Sequence, residues 1–227
     1  MNVVHAVGVE GARHAKGVVV VIDVLRAFTV SAYALAGGAR ECLLVETVDE
    51  ARALAARTPG AIISAEVDTL PVAGIAISNS PTQIAEADVL GHAVVQRTSA
   101  GTQAVLAVER AEAMYAASLA VAGPTAQACL LRRPATVTLV ASGDFPEDHA
   151  CARYVAALLR GENEDLDRLL QPLYDSERYR KFALGDWPGF PRTDLDLALA
   201  VNRFDFAMPA TKKEGCVQLL REDLSQT

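Results

Sequence analysis

No apolar run in this chain approaches the roughly 18 residues a membrane-spanning helix requires, so no membrane partner is expected. The opening residues, Met1-Asn2-Val3-Val4-His5, lack the basic and apolar regions of a secretion signal. Cysteine is sparse: Cys42, Cys129, Cys151 and Cys216 stand far apart with no CxxC. That spacing argues against a disulfide framework and a zinc cluster, and suits a reducing cytoplasm. Positive charge is in deficit, with 21 Lys and Arg against 28 Asp and Glu and a net charge of −7. A general nucleic-acid binder needs the opposite balance to neutralise phosphates. A small anionic ligand stays open, because a local arginine and a metal reverse the sign inside a site. GxGxxG, GxSxG and HExxH are all missing, which removes support for dinucleotide binding, a nucleophile elbow and a zincin site. There is no internal repeat and no low-complexity tract.

What is present is an alternation. The 227 residues are 51% hydrophobic, enough for one large α/β domain with a sizeable core. Strand-like runs over Val18–Val24, Glu41–Glu46, Ala61–Glu66, Ala93–Arg97, Ala113–Ala117 and Thr136–Ala141 alternate with helix-like runs. The helices fall over Phe28–Ala36, Val48–Arg57, Pro81–Val89, Thr102–Arg110, Thr125–Leu131 and Glu147–Leu159. Asp68–Ser80 reads as a loop, with a short strand open near Ile75–Ile77. Such an alternation predicts a parallel or mostly parallel sheet covered by helices on both faces. The tail reads differently. Gly161–Leu170 is acidic, Asp175–Leu184 is amphipathic, Asp186–Pro191 is a rigid loop and Asp194–Val201 a final helix. Phe204–Met208 and Cys216–Leu220 suit a terminal strand pair. Nothing marks a linker, so a single domain over 1–227 is expected.

The chemistry gathers where strands end, which in an open α/β sheet is where ligands bind. Val18–Ile22 delivers Asp23 and, three residues on, Arg26 at the mouth of a helix. An acid that can hold a metal beside a guanidinium that can hold a phosphate points to phosphoryl or sulfonate chemistry. A buried Asp23–Arg26 ion pair is the bland alternative. Glu66, with Asp68 nearby, ends another strand. Ser78-Asn79-Ser80-Pro81 also fits an ordinary helix entry. Thr98-Ser99-Ala100-Gly101-Thr102 is similar to a phosphate-cradling turn but has no Walker lysine, and a plain capped turn fits equally. Asp144-x-x-Glu147, followed by Asp148 and His149, also suits a capping box that needs no metal. His5, His14 and His92 read as surface groups, and Trp187 as core.

Taken in order and spacing, Asp23-Val24-Leu25-Arg26-Ala27, Asn79-Ser80-Pro81, Gly101-Thr102 and Glu147-Asp148 resemble the 2-phosphosulfolactate phosphatase (ComB-like) family. Phe204–Pro209 is similar to that family's closing strand, and the resemblance covers nearly the whole chain. It implies a three-layer α/β/α sandwich around a mostly parallel or mixed sheet. It implies a magnesium-dependent phosphatase whose namesake substrate, 2-phospho-3-sulfolactate, lies on the route to coenzyme M.

By that resemblance Asp23, Glu147, Asp148 and Glu66 hold Mg2+, and Asp23 and Arg26 are catalytic. Arg26, Asn79, Ser80, Ser99, Gly101 and Thr102 contact a small anionic phosphorylated substrate. A second copy of the chain is left open as a partner. The departures are Val67 for an arginine, Ala76 for an aspartate, and Ala100 and Val121 for asparagines. They predict weak activity on the namesake substrate and a preference for a phosphoester less acidic at its far end. The alternative they leave is a ComB-like metal- or anion-binding protein that has lost catalysis.

Overall fold

The computed structural model of the chain describes residues 1–185 and 187–224. Its strands are β1 (Asn2–Val7), β2 (Val18–Ile22), β3 (Glu41–Leu44), β4 (Ile62–Val67), β5 (Leu70–Pro71), β6 (Ala93–Arg97), β7 (Ala113–Ala117), β8 (Thr136–Ala141), β9 (Phe206–Lys213), β10 (Cys216–Leu219) and β11 (Glu222–Asp223). The helices are α1 (Gly8–His14), α2 (Ala27–Ala36), α3 (Val48–Arg57), α4 (Pro81–Glu86), α5 (Gly101–Ala107), α6 (Ala122–Leu131), α7 (Pro146–Arg160), α8 (Leu166–Tyr174), α9 (Glu177–Leu184) and α10 (Thr193–Ala198).

The sheet is mixed, in the order β1-β8-β2-β7-β9-β10-β3-β6-β4-β5, with β11 paired to β9. One parallel block is β1-β8-β2-β7 and the other is β3-β6-β4. Antiparallel pairings through β9 and β10 join them, so the blocks run in opposite senses. In a flat sheet this would place their carboxyl ends on opposite edges. The sheet is not flat. β9 pairs with β7 through Met208 and Pro209, then with β10 from Ala210 to Lys213. That one long strand carries the chain from one block to the other, and the carboxyl ends of β2, β4 and β6 meet at one cavity.

Burial follows from the run of valines. β2 is buried at every position. Val19 and Val21 enter one apolar cluster, with Ala12 of α1, Val30 of α2, Ile84 of α4 and Val105 of α5. Val18, Val20 and Ile22 enter the opposite cluster, with Cys129 of α6, Val155 of α7 and Leu173 of α8. A third cluster packs Ala51 and Leu54 of α3 on Leu43, Val45 and Val95. These are the three layers of an α/β/α sandwich. In α2 every residue but Tyr33 and Ala36 is buried. A helix apolar on all sides belongs inside the fold, and this one begins at the cavity.

The alternation read from the sequence matches most of these elements to within a few residues; the two-residue strands β5 and β11 were not read, and four further differences stand out. The amino-terminal β1 and α1 were not anticipated. β1 is an edge strand that buries little, so its apolar period is weak. The acidic stretch Gly161–Leu170 gives way to α8, which buries only Leu170 and Leu173. The short strand near Ile75–Ile77 is a single bridge between Ser64 and Ile77. In the loop expected over Asp186–Pro191, Asp186 lies outside the described residues, and residues 187–191 turn into α10. No described helix is long and apolar enough to cross a membrane, and all four cysteines are buried free thiols.

Candidate active site

Asp23 follows the last residue of β2 and prolongs its ladder, its N–H donating to Ala117 at 3.1 Å. Its Oδ1 accepts the Ala27 N–H at 2.9 Å. This satisfies one of the donors that the first turn of α2 cannot pair within the helix. Its Oδ2 lies 3.0 Å from Ser142 Oγ, and the same hydroxyl lies 3.1 Å from Asp148 Oδ2. Asp148 Oδ1 accepts the Val24 N–H at 2.8 Å. A serine hydroxyl carries one proton. Both contacts are hydrogen bonds only when one of the two carboxyls is itself protonated.

The electrostatics agree. Burial pushes the Asp23 carboxyl up, against the hydrogen bonds from Ala27 and Ser142, and the Glu66 charge adds to the rise. Asp148 is pushed well above the usual range by burial and then by the charges of Asp23 and Glu147. Glu147 is raised by burial, opposed by Arg178. Its two oxygens are buried without a hydrogen bond, and Arg178 Nε stands 3.4 Å from Oε1 outside hydrogen-bond geometry. The capping box expected here does not form. Phe145 is the N-cap of α7 and no side chain caps it. Asp144 instead meets His149 at 2.8 Å on the surface.

A cavity of about 290 Å³ opens in front of Asp23. Its walls are Asp23, Leu25, Arg26, Glu66, Asp68, Thr69, Asn79, Ser99, Ala100, Phe145, Arg178, Phe182 and Phe190. Arg26 is not paired with Asp23. Its Nη1 donates to Asp194 Oδ2 at 2.8 Å and to the Gly189 carbonyl at 2.6 Å, and its guanidinium lies 4.1 Å over the Phe190 ring. Burial lowers its pKa and Asp194 opposes that. Both hydrogen bonds that Arg26 donates among the described residues come from Nη1, which leaves Nε and Nη2 for a ligand. The N–H groups of Leu25 and Arg26 likewise find no acceptor among the described residues.

Glu66 ties two loops together. It accepts the Ser99 and Thr69 N–H groups and lies 3.2 Å from Ser99 Oγ. Asn79 Oδ1 accepts from Gln96 at 3.3 Å, and Gln96 is fixed in turn by Ser31 and the Ala27 carbonyl.

Of the residues singled out in the sequence, the fold thus brings Asp23, Arg26, Glu66, Asn79 and Ser99 to one cavity. Ser80, Gly101, Thr102, Glu147 and Asp148 stand behind its walls. Ser80 accepts the Gln83 N–H as the cap of α4 and donates to Asp194 at 2.7 Å. Thr102 bonds reciprocally with Thr98 at the start of α5. Gly101 is packed against Asp23 and Ala27. The contacts of these three in the structure are with the wall itself. The sequence reading missed Ser142, Arg178, Asp194 and the phenylalanines. Ser142 directly follows β8, so the strand-end rule would have found it. Arg178 and Asp194 come from the tail, where no periodic signal points at the site.

The departures also fall unevenly. Val121 is fully buried in apolar core, Ala76 is exposed and Val67 is not a wall residue; only Ala100 lines the cavity. Among the described residues no group of three or more His, Cys, Asp and Glu side chains is arranged to hold a metal ion. Three acids line the cavity, the buried Asp23 and Glu66 and the exposed Asp68. Magnesium is commonly held by one or two carboxylates, with water and substrate phosphate completing its shell. The two buried cavity acids fit that mode: both Asp23 oxygens and Glu66 Oε1 accept one hydrogen bond each and keep a lone pair, while Glu66 Oε2 accepts two.

The fold and the cavity define an α/β/α protein with a small charged cleft at its strand ends. The family profile described as 2-phosphosulpholactate phosphatase matches residues 6–183, and the chain belongs to that family. A "Probable 2-phosphosulfolactate phosphatase" from Bacillus subtilis is 34% identical over 180 residues, 70% of this chain and 78% of its own length. One of the same name from Symbiobacterium thermophilum is 30% identical over 171 residues, 73% of each chain. Another from Deinococcus radiodurans is 33% identical over 131 residues, 57% of this chain and 55% of its own.

Proposed function

We propose that the chain is a magnesium-dependent phosphatase acting on a small anionic phosphomonoester, 2-phosphosulfolactate or a related phosphorylated hydroxy acid. The observation that supports this reading is the shared cavity. It sets Asp23 and Glu66 beside the unused nitrogens of Arg26, in a chain of the 2-phosphosulpholactate phosphatase family. Arg26 binds phosphate oxygens through Nε and Nη2, a fork that matches them in pairs. The Leu25 and Arg26 N–H groups add donors from the mouth of α2. Asn79 and Ser99 orient the ester along the same wall. Asp23 and Glu66 hold the magnesium, with Asp148 and Ser142 fixing the Asp23 carboxylate from behind. When bound, magnesium neutralises phosphate charge and orients an attacking water. Hydrolysis then breaks the ester P–O bond and releases the alcohol and phosphate. The four buried free thiols suit a reducing cytoplasm, where we place the protein.

The test is phosphate release from a panel of phosphorylated hydroxy acids, with magnesium and with a chelator. Metal-dependent turnover of one or more supports the reading. Binding of the same esters without turnover favours a protein that has kept the site and lost catalysis.

A further inference from the structure

Arg178 is the one guanidinium in the cavity that the sequence did not announce. It reaches the cavity from α9. Its guanidinium lies 4.1 Å over the Phe145 ring and 5.0 Å from that of Phe182. Nη2 donates to the Leu25 carbonyl at 3.2 Å. Nε is buried without a hydrogen-bond partner, held 3.4 Å from Glu147. Among the described residues nothing accepts from Nη1. A cation fixed by aromatic stacking, with donor capacity left over in a partly enclosed cavity, is built to receive an anion.

Arg26 already stands at the phosphate end, beside Asp23. Arg178 has Glu147 on its buried side and keeps Nη1 for a ligand, so a ligand with two acidic groups can engage both arginines. Phe145, Phe182 and Phe190 form an apolar wall on which the carbon frame between those groups can lie. The donors lost at Val67, Ala76 and Val121 do not subtract from this cavity, because none of those residues lines it.

We propose that Arg178 is a specificity-determining residue: its guanidinium binds the carboxylate or sulfonate that the substrate carries in addition to its phosphate. This rests on the phosphatase reading above, and it replaces the expectation of a substrate less acidic at its far end. Each charge-assisted hydrogen bond, once lost, is expected to weaken the interaction about tenfold to a hundredfold.

The experiment compares 2-phospholactate with isopropyl phosphate, the same secondary ester with a methyl group in place of its carboxylate. Both are assayed with magnesium on the wild type, Arg178→Gln and Arg178→Lys. The wild type is expected to favour 2-phospholactate in kcat/KM by about tenfold or more. Arg178→Gln is expected to collapse that ratio towards one, mainly through KM, and Arg178→Lys to restore part of it. A ratio unchanged in Arg178→Gln overturns the proposal, as does an equal loss on both esters. If Arg178→Gln does not fold, a wild-type ratio fully kept by Arg178→Lys overturns it, because a lysine has no planar fork. If the wild type turns over neither ester, the phosphatase reading is decided on the wider panel above and the role of Arg178 by binding. Calorimetric binding of the two esters to the same proteins then decides: tighter binding of 2-phospholactate, lost in Arg178→Gln, supports the role of Arg178, and equal binding overturns it.

Discussion

Gly101 presses directly on Asp23: a Cβ at position 101 would stand 2.6 Å from the Asp23 Oδ2 and 2.7 Å from the Ala27 Cβ. The backbone of Gly101 is not in the left-handed region, so its glycine is required by closeness alone. Gly101→Ala is expected to push Asp23 out of place. Overpacking of this kind costs about 1–3 kcal/mol, and a shift of about 1 Å in a reacting group costs on the order of 10²-fold in rate. Loss of turnover with a modest fall in melting temperature checks it. Full activity in Gly101→Ala would show that the position of Asp23 does not matter.

Asp148 is better anchored than its sequence context implies. Its Oδ1 accepts the buried Val24 N–H, so removing the side chain leaves that donor unsatisfied. Asp148→Ala is expected to lose about 1–3 kcal/mol of stability. Asp148→Asn, which keeps an acceptor, is expected to lose much less. Denaturant unfolding of the two variants measures this, and equal losses would contradict the role of the Val24 bond.

The buried acids also set a pH dependence. Asp23, Glu147 and Asp148 are all raised, burial being the first cause in each. A carboxyl raised in the folded state binds its proton more tightly there than in the unfolded chain. Its contribution to stability is fully present below the unfolded pKa, about 4, and is lost as pH rises through the folded value. The metal-free wild type is therefore expected to lose melting temperature relative to Asp148→Asn as pH rises from 5 to 8. A constant difference over that range would contradict the raised carboxyl.

The fold was largely legible because β2, β6, β7 and β8 are short apolar runs separated by helical periods, and period is what burial on two faces produces. Asp23, Arg26 and Glu66 were legible because they directly follow or end such runs. The partner of Arg26 was not. Asp194 lies 168 positions away, and only the return of the tail over the cavity brings it there. Arg178 was hidden for the same reason, its helix being read only as amphipathic with charges of both signs. Ser80, Gly101 and Thr102 were placed near the site, but local caps and close packing fit the same residue types as ligand contacts. Telling the two apart takes knowledge of which way each side chain turns.

The most direct measurement is phosphate release from 2-phosphosulfolactate and other phosphorylated hydroxy acids by the wild type and Asp23→Asn, with magnesium and with a chelator. Asp23→Asn keeps the side chain's shape and hydrogen-bonding capacity, so its melting temperature should stay near that of the wild type. Magnesium-dependent turnover by the wild type is predicted, with a loss on the order of 10²-fold or more in Asp23→Asn. Near-normal turnover in a folded Asp23→Asn, or wild-type turnover untouched by the chelator, would contradict the account.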